Sequence, residues 1–484
     1  MVKGKPSGWW HINQGVRQGS VLSPLLFSIA INPLIKELRD KGVGVSIGGV
    51  RVPGLLFADD LAVICETEDE LRQALMYLDQ WAKKKRFIFN AKKCGVLVTR
   101  DRIDPAARTG GKWMLGKEEI PEVKSYKYLG VDKEKMKTWK KNVERMVAKG
   151  KNRLGMLKII GAHQHGLRPS LGKRLAEALL RPILEYGYEV LQLNKTQIKQ
   201  IERVMLMAGR LITGLPKYAM NDAVYGELGW RTMEERNEVA KLKYFHRLRT
   251  LPESRLVKKV FLHRMNDAVC RQGKGWCNEV RQIMQKYGIY TRHWTKEPMD
   301  DDNVSVAVWW KRIQNIVEEK QSQLWKERLR HKIKDDEVVE REKGKFYLKC
   351  KREWGEAEYM NENGSKEGRI WKTRMRACAV PLQAELKREH RAVNDTCYLC
   401  YAGALGAVEN HQHMLLECEA YATERKMLWE ELSKTLSEEK MTQQWNNTED
   451  LVVFLLSDNE CDSAVRTFLH DAFTRRSQLF RDKQ

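Results

Sequence analysis

Apolar residues recur every three or four positions over most of the chain, and this spacing predicts a largely helical protein. In "LSPLLFSIAINPLIKELRDKG" a helix is expected to start near Pro24, and in "DELRQALMYLDQWAKKKRF" Leu71, Leu75, Leu78 and Trp81 share one face. Around these two helices lie short apolar runs bounded by glycine, so residues 1–135 read as α+β. From 136 to 330 the pattern is almost wholly helical: "GKRLAEALLRPILEYGYEVLQL" and "QIKQIERVMLMAGRLITGL" place Lys and Arg between apolar positions, as bundled helices with basic faces do. Residues 331–368 are dense in charges of both signs and end in an Asn/Gly/Ser cluster, which predicts a solvated helix followed by a linker. In the tail Val465, Phe468, Leu469, Ala472 and Phe473 form one apolar helix face, expected to dock on the protein itself. The expected fold class is α+β, mostly α.

One apolar run breaks the pattern. "PGLLFADDLAVIC", residues 53–65, holds Asp59 and Asp60 at its centre. Leu55, Leu56 and Phe57 on one side and Leu61, Ala62, Val63 and Ile64 on the other read as short buried strands, connected by Ala58, Asp59 and Asp60. Adjacent ionised carboxylates in such a segment need a turn open to water or a bound cation. A hairpin tip satisfies the first requirement, and a hard cation such as magnesium, which favours carboxylate oxygen, satisfies the second. Upstream, "QGVRQGSVLSPLLF" sets Gly15 and Gly19 about Arg17 and Gln18 before Ser23-Pro24 opens a helix. This is either an ordinary loop into a helix or a place where backbone approaches a ligand beside a charge and an amide.

Charge narrows the partner. Lys and Arg number 87 against 64 Asp and Glu, a net charge of +23, which favours a polyanion: nucleic acid first, an anionic membrane surface second. No run of about 20 apolar residues and no secretory signal stands out, so the sequence predicts a soluble intracellular protein without a membrane role. Ten Cys are too few and too uneven for a disulfide scaffold in 484 residues. Three of them cluster in "CYLCYAGALGAVENHQHMLLEC". Cys397, Cys400, His413 and Cys418 give Cys-x2-Cys-x12-His-x4-Cys, the spacing of a closed, structural tetrahedral zinc site. His411 is an alternative ligand, but His413 fits the spacing; Cys378, 19 residues before Cys397, reads as structural. The preceding "RIWKTRMRACAVPLQAELKREHR" is expected to offer arginines to phosphates.

The order "GVRQGSVLSPLLF", "FADD", "FNAKKCGVLV" and "YKYLGV" resembles the palm of reverse transcriptases from LINE-type retrotransposons, those without long terminal repeats. The resemblance continues through "LLRPILEYGYEVL" and "LPKYAMNDAVYGELGW", covers most of residues 11–250, and returns at "ENHQHMLLEC", similar to the Cys-Cys-His-Cys knuckle that follows the polymerase in many such elements. It implies RNA-directed DNA synthesis with Asp59 and Asp60 on a magnesium-binding turn, Arg17, Gln18 and Gly19 beside template and nucleotide, Lys93 near the nucleotide phosphates, and Tyr128, Leu129 and Gly130 as primer grip. It also implies an organisation: a partial palm (1–135), a helical thumb-like region (136–250), a helical, charged linker region (251–368), the zinc knuckle (369–425) and a helical tail (426–484).

In this family another catalytic Asp lies on a strand earlier in the chain than the Gln-Gly motif, and here only 17 residues precede Gln18. The resemblance therefore implies that the fingers and first palm strand are missing, that the metal site is incomplete, and that an unpaired sheet edge is left for a complementing palm or fingers segment. Before Asp59 the only acids are Glu37 and Asp40, at the solvent end of a helix. The competing readings are a non-catalytic nucleic-acid-binding protein using basic thumb and knuckle, and an inert remnant. Asp458, Glu460 and Asp462, in the 66 residues after Cys418, read as an acidic loop and not a nuclease. RNA and DNA are the expected partners, zinc and magnesium the expected ions, and nuclear localisation follows from the family's use of genomic DNA.

Overall fold

The computed structural model describes residues 15–99, 111–135, 138–161, 167–270, 275–289, 306–334, 337–362, 364–441, 443, 445 and 447–482. Two units emerge, one from residues 1–142, 247–278 and 293–297, the other from 143–246, 279–292 and 298–484.

In the first unit α1 (Ser23–Asp40) takes Pro24 into its first turn, where a missing N–H costs no bond, and turns Ile31, Leu34 and Leu38 inward. α2 (Glu68–Lys85) is capped by Thr67, whose hydroxyl accepts the Glu70 N–H at 3.1 Å. Acids fill its first turn and lysines its last, which complements the helix dipole. Leu75, Leu78 and Trp81 are buried, and Leu71 packs half-buried against the same core.

Besides helix Leu256–Cys270, this unit holds four separate antiparallel hairpins among its described residues: β1 (Val45–Ile47) with β2 (Val50–Val52), β3 (Gly54–Phe57) with β4 (Asp60–Val63), β5 (Trp113–Leu115) with β6 (Glu118–Ile120), and β7 (Ser125–Tyr128) with β8 (Val131–Glu134). Val96, Trp113, Leu115 and Ile120 close the core over α1 and α2.

The strands around the aspartates are not both buried, as expected, but covered on one face. Leu56 pairs with Leu61 and Gly54 with Val63, and Leu56, Leu61 and Val63 pack on the core. Leu55 and Phe57 point the other way and are 45% and 64% exposed. Side chains alternate along a strand, and a two-stranded ribbon resting on α1 has one covered face. The connection is also shorter than expected: Ala58 and Asp59 form it, and Asp60 is already in β4 opposite Phe57.

The second unit is mostly helical. Helix Lys195–Thr213 starts in a reciprocal cap, Asn194 Oδ1 accepting from Gln197 N at 2.9 Å and Gln197 Oε1 from Asn194 N at 3.0 Å. It stops at Gly214, φ +73°, where a Cβ would press on Ile370 at 2.7 Å. Helix Asn221–Leu228 is buried from Asp222 to Leu228, with Glu227 fully enclosed.

Residues 331–368 are not a solvated helix and linker. They form a hairpin of β9 (His331–Lys334) and β10 (Glu337–Glu340), then helix Glu342–Cys350, and Tyr347, Cys350, Tyr359 and Met360 are buried. The Asn/Gly/Ser cluster is a helix cap: Ser365 Oγ accepts the Gly368 N–H at 3.1 Å and opens helix Lys366–Arg376.

That helix also departs from expectation. Arg369, Lys372 and Arg376 face inward and not toward phosphates. Arg376 pairs with Glu227 at 3.1 Å, Lys372 with Asp462 at 2.6 Å, and Arg369 donates to the carbonyls of Tyr359 and Glu362 at 3.3 and 2.6 Å. Helix Asp462–Asp482 docks as expected: Val465, Phe468, Leu469, Ala472 and Phe473 are buried, and Phe473 stacks on Trp371 at 3.8 Å between ring centroids. No described helix is long and apolar enough to cross a membrane.

Candidate functional site

The paired aspartates sit at the tip of the β3–β4 hairpin, and both are exposed. A two-residue hairpin loop needs positive φ, and Ala58 supplies +51° without being glycine. Asp60 shares its strand face with Phe57, and Asp59 stands in the turn. Solvent-facing carboxylates supply the oxygen donors that a hard divalent cation favours.

β7–β8 meets this hairpin. Its own loop is Leu129-Gly130, φ +46° and +76°, the backbone sign that matches the twist of paired strands. Tyr128 Oη donates to the Leu55 carbonyl at 3.4 Å, and Tyr126 Oη donates to the Lys93 carbonyl at 2.6 Å. Burial and the negative charge of Asp60 raise the Tyr128 pKa; burial, then Cys94 and Asp60, raise that of Tyr126. The aspartate hairpin, the Ala91–Lys93 turn and the "YKYLG" hairpin thus converge, and the Lys93 side chain stays exposed.

Arg17, Gln18 and Gly19 are exposed in the loop before α1. That loop closes on itself: the Arg17 carbonyl accepts from Ser23 Oγ at 2.6 Å and from Ser20 N at 3.3 Å. Its tie to the aspartates runs through α1, which packs on β3. Tyr126 was missed in the sequence, although its spacing of two from Tyr128 puts both on one strand face.

The second constellation assembles fully. The donor atoms of Cys397, Cys400, His413 and Cys418 all lie within 4.8 Å of one another. Cys400 Sγ is 3.3 Å from His413 Nε2, and Cys397 Sγ is 3.9 Å from Cys418 Sγ. A hydrogen bond from Cys418 holds the Cys397 thiol well below its ordinary pKa, which favours thiolate. His413 Nδ1 faces Glu417 Oε2 at 3.4 Å, an outer partner that turns Nε2 toward the sulfurs. Glu417 lies four residues after His413, one helical turn, which is the signal that could have found it.

Around the cluster, Arg425 donates to the carbonyls of Leu415 and Cys418 at 3.0 and 2.6 Å, and buried Glu409, paired with Arg476, accepts the Gln383 N–H at 2.9 Å. Three thiols and an imidazole in a closed set have the donor chemistry of a tetrahedral structural metal site. His411 faces away: Nε2 bonds the Met375 carbonyl at 3.0 Å, and its other side meets Cys378 and Glu385. Asp458, Glu460 and Asp462 do not converge; Lys440 holds the first two at 3.0 and 2.9 Å, and Asp462 is buried with Lys372 and Arg466.

Residues 1–132 match the family described as reverse transcriptase (RNA-dependent DNA polymerase). The chain is 23% identical over 267 residues to the RNA-directed DNA polymerase from mobile element jockey of Drosophila melanogaster, covering 52% of this chain and 28% of the relative. It is 27% identical over 253 residues to the jockey polymerase of Drosophila funebris, covering 50% and 26%. With the Pol polyprotein of the type-1 retrotransposable element R2 of Nasonia vitripennis it shares 29% identity over 133 residues, 25% of this chain and 12% of the relative. The matched region thus spans about a quarter of the length of the jockey polymerases. Residues 1–132 thus match the reverse transcriptase family, and about half of the chain is similar to the polymerases of LINE-type retrotransposons that lack long terminal repeats.

Proposed function

We propose that this chain carries the catalytic hairpin of an RNA-directed DNA polymerase, with Asp59 and Asp60 as two ligands of a paired-magnesium site. The observation that carries the reading is the convergence of the exposed Asp59-Asp60 tip, the Lys93 turn and the Tyr128 strand. In nucleotidyl transfer, divalent ions activate the attacking hydroxyl and neutralise the triphosphate. The chain's own part is positional: the rigid turn fixes both carboxylates, Lys93 attracts nucleotide phosphate, and Arg17, Gln18 and Gly19 border template and nucleotide. Tyr128, Leu129 and Gly130 hold the primer end.

Residues 1–135 act as palm and 136–250 as thumb, with the knuckle at 369–425 reached through 251–368 and followed by the tail, 426–484. Zinc occupies the Cys397, Cys400, His413, Cys418 cluster as a structural ion. RNA and DNA serve as template, primer and target, and work on genomic DNA places the protein in the nucleus. A further carboxylate comes from a complementing palm or fingers segment. Support for that docking is the row Leu22, Leu25, Leu26 and Ile29 at the start of α1, each more than half exposed; Leu55 and Phe57, on the uncovered face of the aspartate ribbon, are exposed as well.

Iron(II) in place of magnesium, with ascorbate and peroxide, cleaves backbone near its binding site. Cuts at residues 57–61 that vanish in Asp59→Asn/Asp60→Asn are expected. Cuts unchanged by the double substitution would overturn the metal assignment.

A further inference from the structure

We infer that the outer face of the Cys397–Cys400 loop is a stacking platform for unpaired bases of single-stranded nucleic acid, with Tyr398 and Tyr401 as stacking groups and Arg388 and Arg391 as backbone contacts. This rests on the reading of the chain as a nucleic-acid-binding polymerase and adds where, beyond the aspartate hairpin, a strand is held.

The two tyrosines lie next to metal-ligand positions, so the loop that carries them is tied down from inside. Cys397 is buried, and its N–H bonds the Ala407 carbonyl at 2.9 Å, yet Tyr398 is 45% and Tyr401 71% exposed. Leu405, 74% exposed, extends the same surface. Exposed aromatic rings on a fixed loop, beside cations, suit base stacking, which tolerates any sequence because every base has a π-face.

The cations come from the turn after helix Gln383–Arg388. Arg388 is 55% exposed while its inner edge pairs with Glu385 at 2.8 Å, and Arg391 lies over the Tyr218 ring at 5.1 Å. This turn is joined to the loop: Lys387 pairs with Asp395 at 3.1 Å, and the Tyr398 hydroxyl bonds Asn394. The local acids are engaged, Glu385 by Lys343 and Arg388, Glu389 by Lys343 and Asp395 by Lys387, so that Lys343, Lys387, Arg388 and Arg391 exceed the three acids by one positive charge. That balance, in a chain of net charge +23, favours a polyanion over an apolar protein partner. With Arg369, Lys372 and Arg376 buried, helix Lys366–Arg376 does not take this role.

The test is fluorescence anisotropy of the full, zinc-loaded chain with a 20-nucleotide poly(dT) strand, a 20-nucleotide poly(U) strand and a 20-base-pair duplex, without magnesium or nucleotides. Tyr398→Ala/Tyr401→Ala is expected to weaken single-strand binding about tenfold or more, the order set by base–aromatic stacking. Tyr398→Phe/Tyr401→Phe should restore it, and duplex binding should move less than twofold, roughly the limit set by stacking that needs unpaired bases. Arg388→Ala/Arg391→Ala should lower the salt slope of poly(dT) binding by roughly one to one and a half. Zinc content and melting temperature, measured for every variant, separate a lost surface from a lost fold. Single-strand binding unchanged in the Ala pair, with zinc retained, overturns the platform and leaves the polymerase reading intact; failure of the unaltered chain to bind any of the three overturns both.

Discussion

At Ala58 the backbone is held at φ +51°, a conformation that suits glycine, directly before the two aspartates. Ala58→Val adds a β-branched side chain there and is expected to cost about 1–2 kcal/mol in urea unfolding, whereas Ala58→Gly should be close to neutral, because relief of strain offsets the extra freedom of the unfolded chain. Equal stability of the Val and Gly variants would mean the turn is not constrained. Glu417 offers a second check at this scale. Glu417→Gln keeps the shape of the partner of His413 Nδ1 but removes its charge, and zinc affinity measured by chelator competition should fall about tenfold or more. The residue types at both sites were legible in the sequence because chemistry limits them: paired carboxylates at a turn, thiols and imidazole at chelate spacing. The strain at Ala58 was not, since nothing in "FADD" announces a positive φ.

Among the elements, those whose apolar residues fall on one helical face were readable: α2 covers its expected face, Leu71 only in part, and helix Asp462–Asp482 buries the positions expected of it. Residues 331–368 and helix Lys366–Arg376 were misread for one physical reason. Several of their cations are met by partners far along the chain, Arg341 by Asp222, Arg376 by Glu227 and Lys372 by Asp462, and local composition cannot distinguish a paired buried cation from a solvated one. Removing one partner should expose the difference. Arg376→Ala leaves Glu227 enclosed without its cation, and a loss of about 3–5 kcal/mol by chemical denaturation is expected. A loss below about 1 kcal/mol, the range of a surface pair, would mean the pair is solvated.

At the scale of the whole molecule, the aspartate ribbon has one covered face, α1 carries an exposed apolar row, and the chain aligns with about a quarter of each jockey polymerase. The exposed row and the uncovered face are the surfaces on which the proposed complementing segment would dock. The charge excess and motif order were visible in the sequence. The convergence of Tyr126 and Tyr128 with the aspartate hairpin was not, because it depends on contacts between segments separated by 33 and 73 positions. The central claim is tested most directly by primer extension on an RNA template in magnesium, with the chain mixed with a polypeptide carrying the fingers and first palm strand of a jockey-type polymerase. Extension in the mixture, reduced about a thousandfold or more by Asp59→Asn/Asp60→Asn, is the predicted result, the order expected when metal-borne charge stabilisation is lost. Extension indifferent to the double substitution, or none while primer-template remains bound, would contradict it.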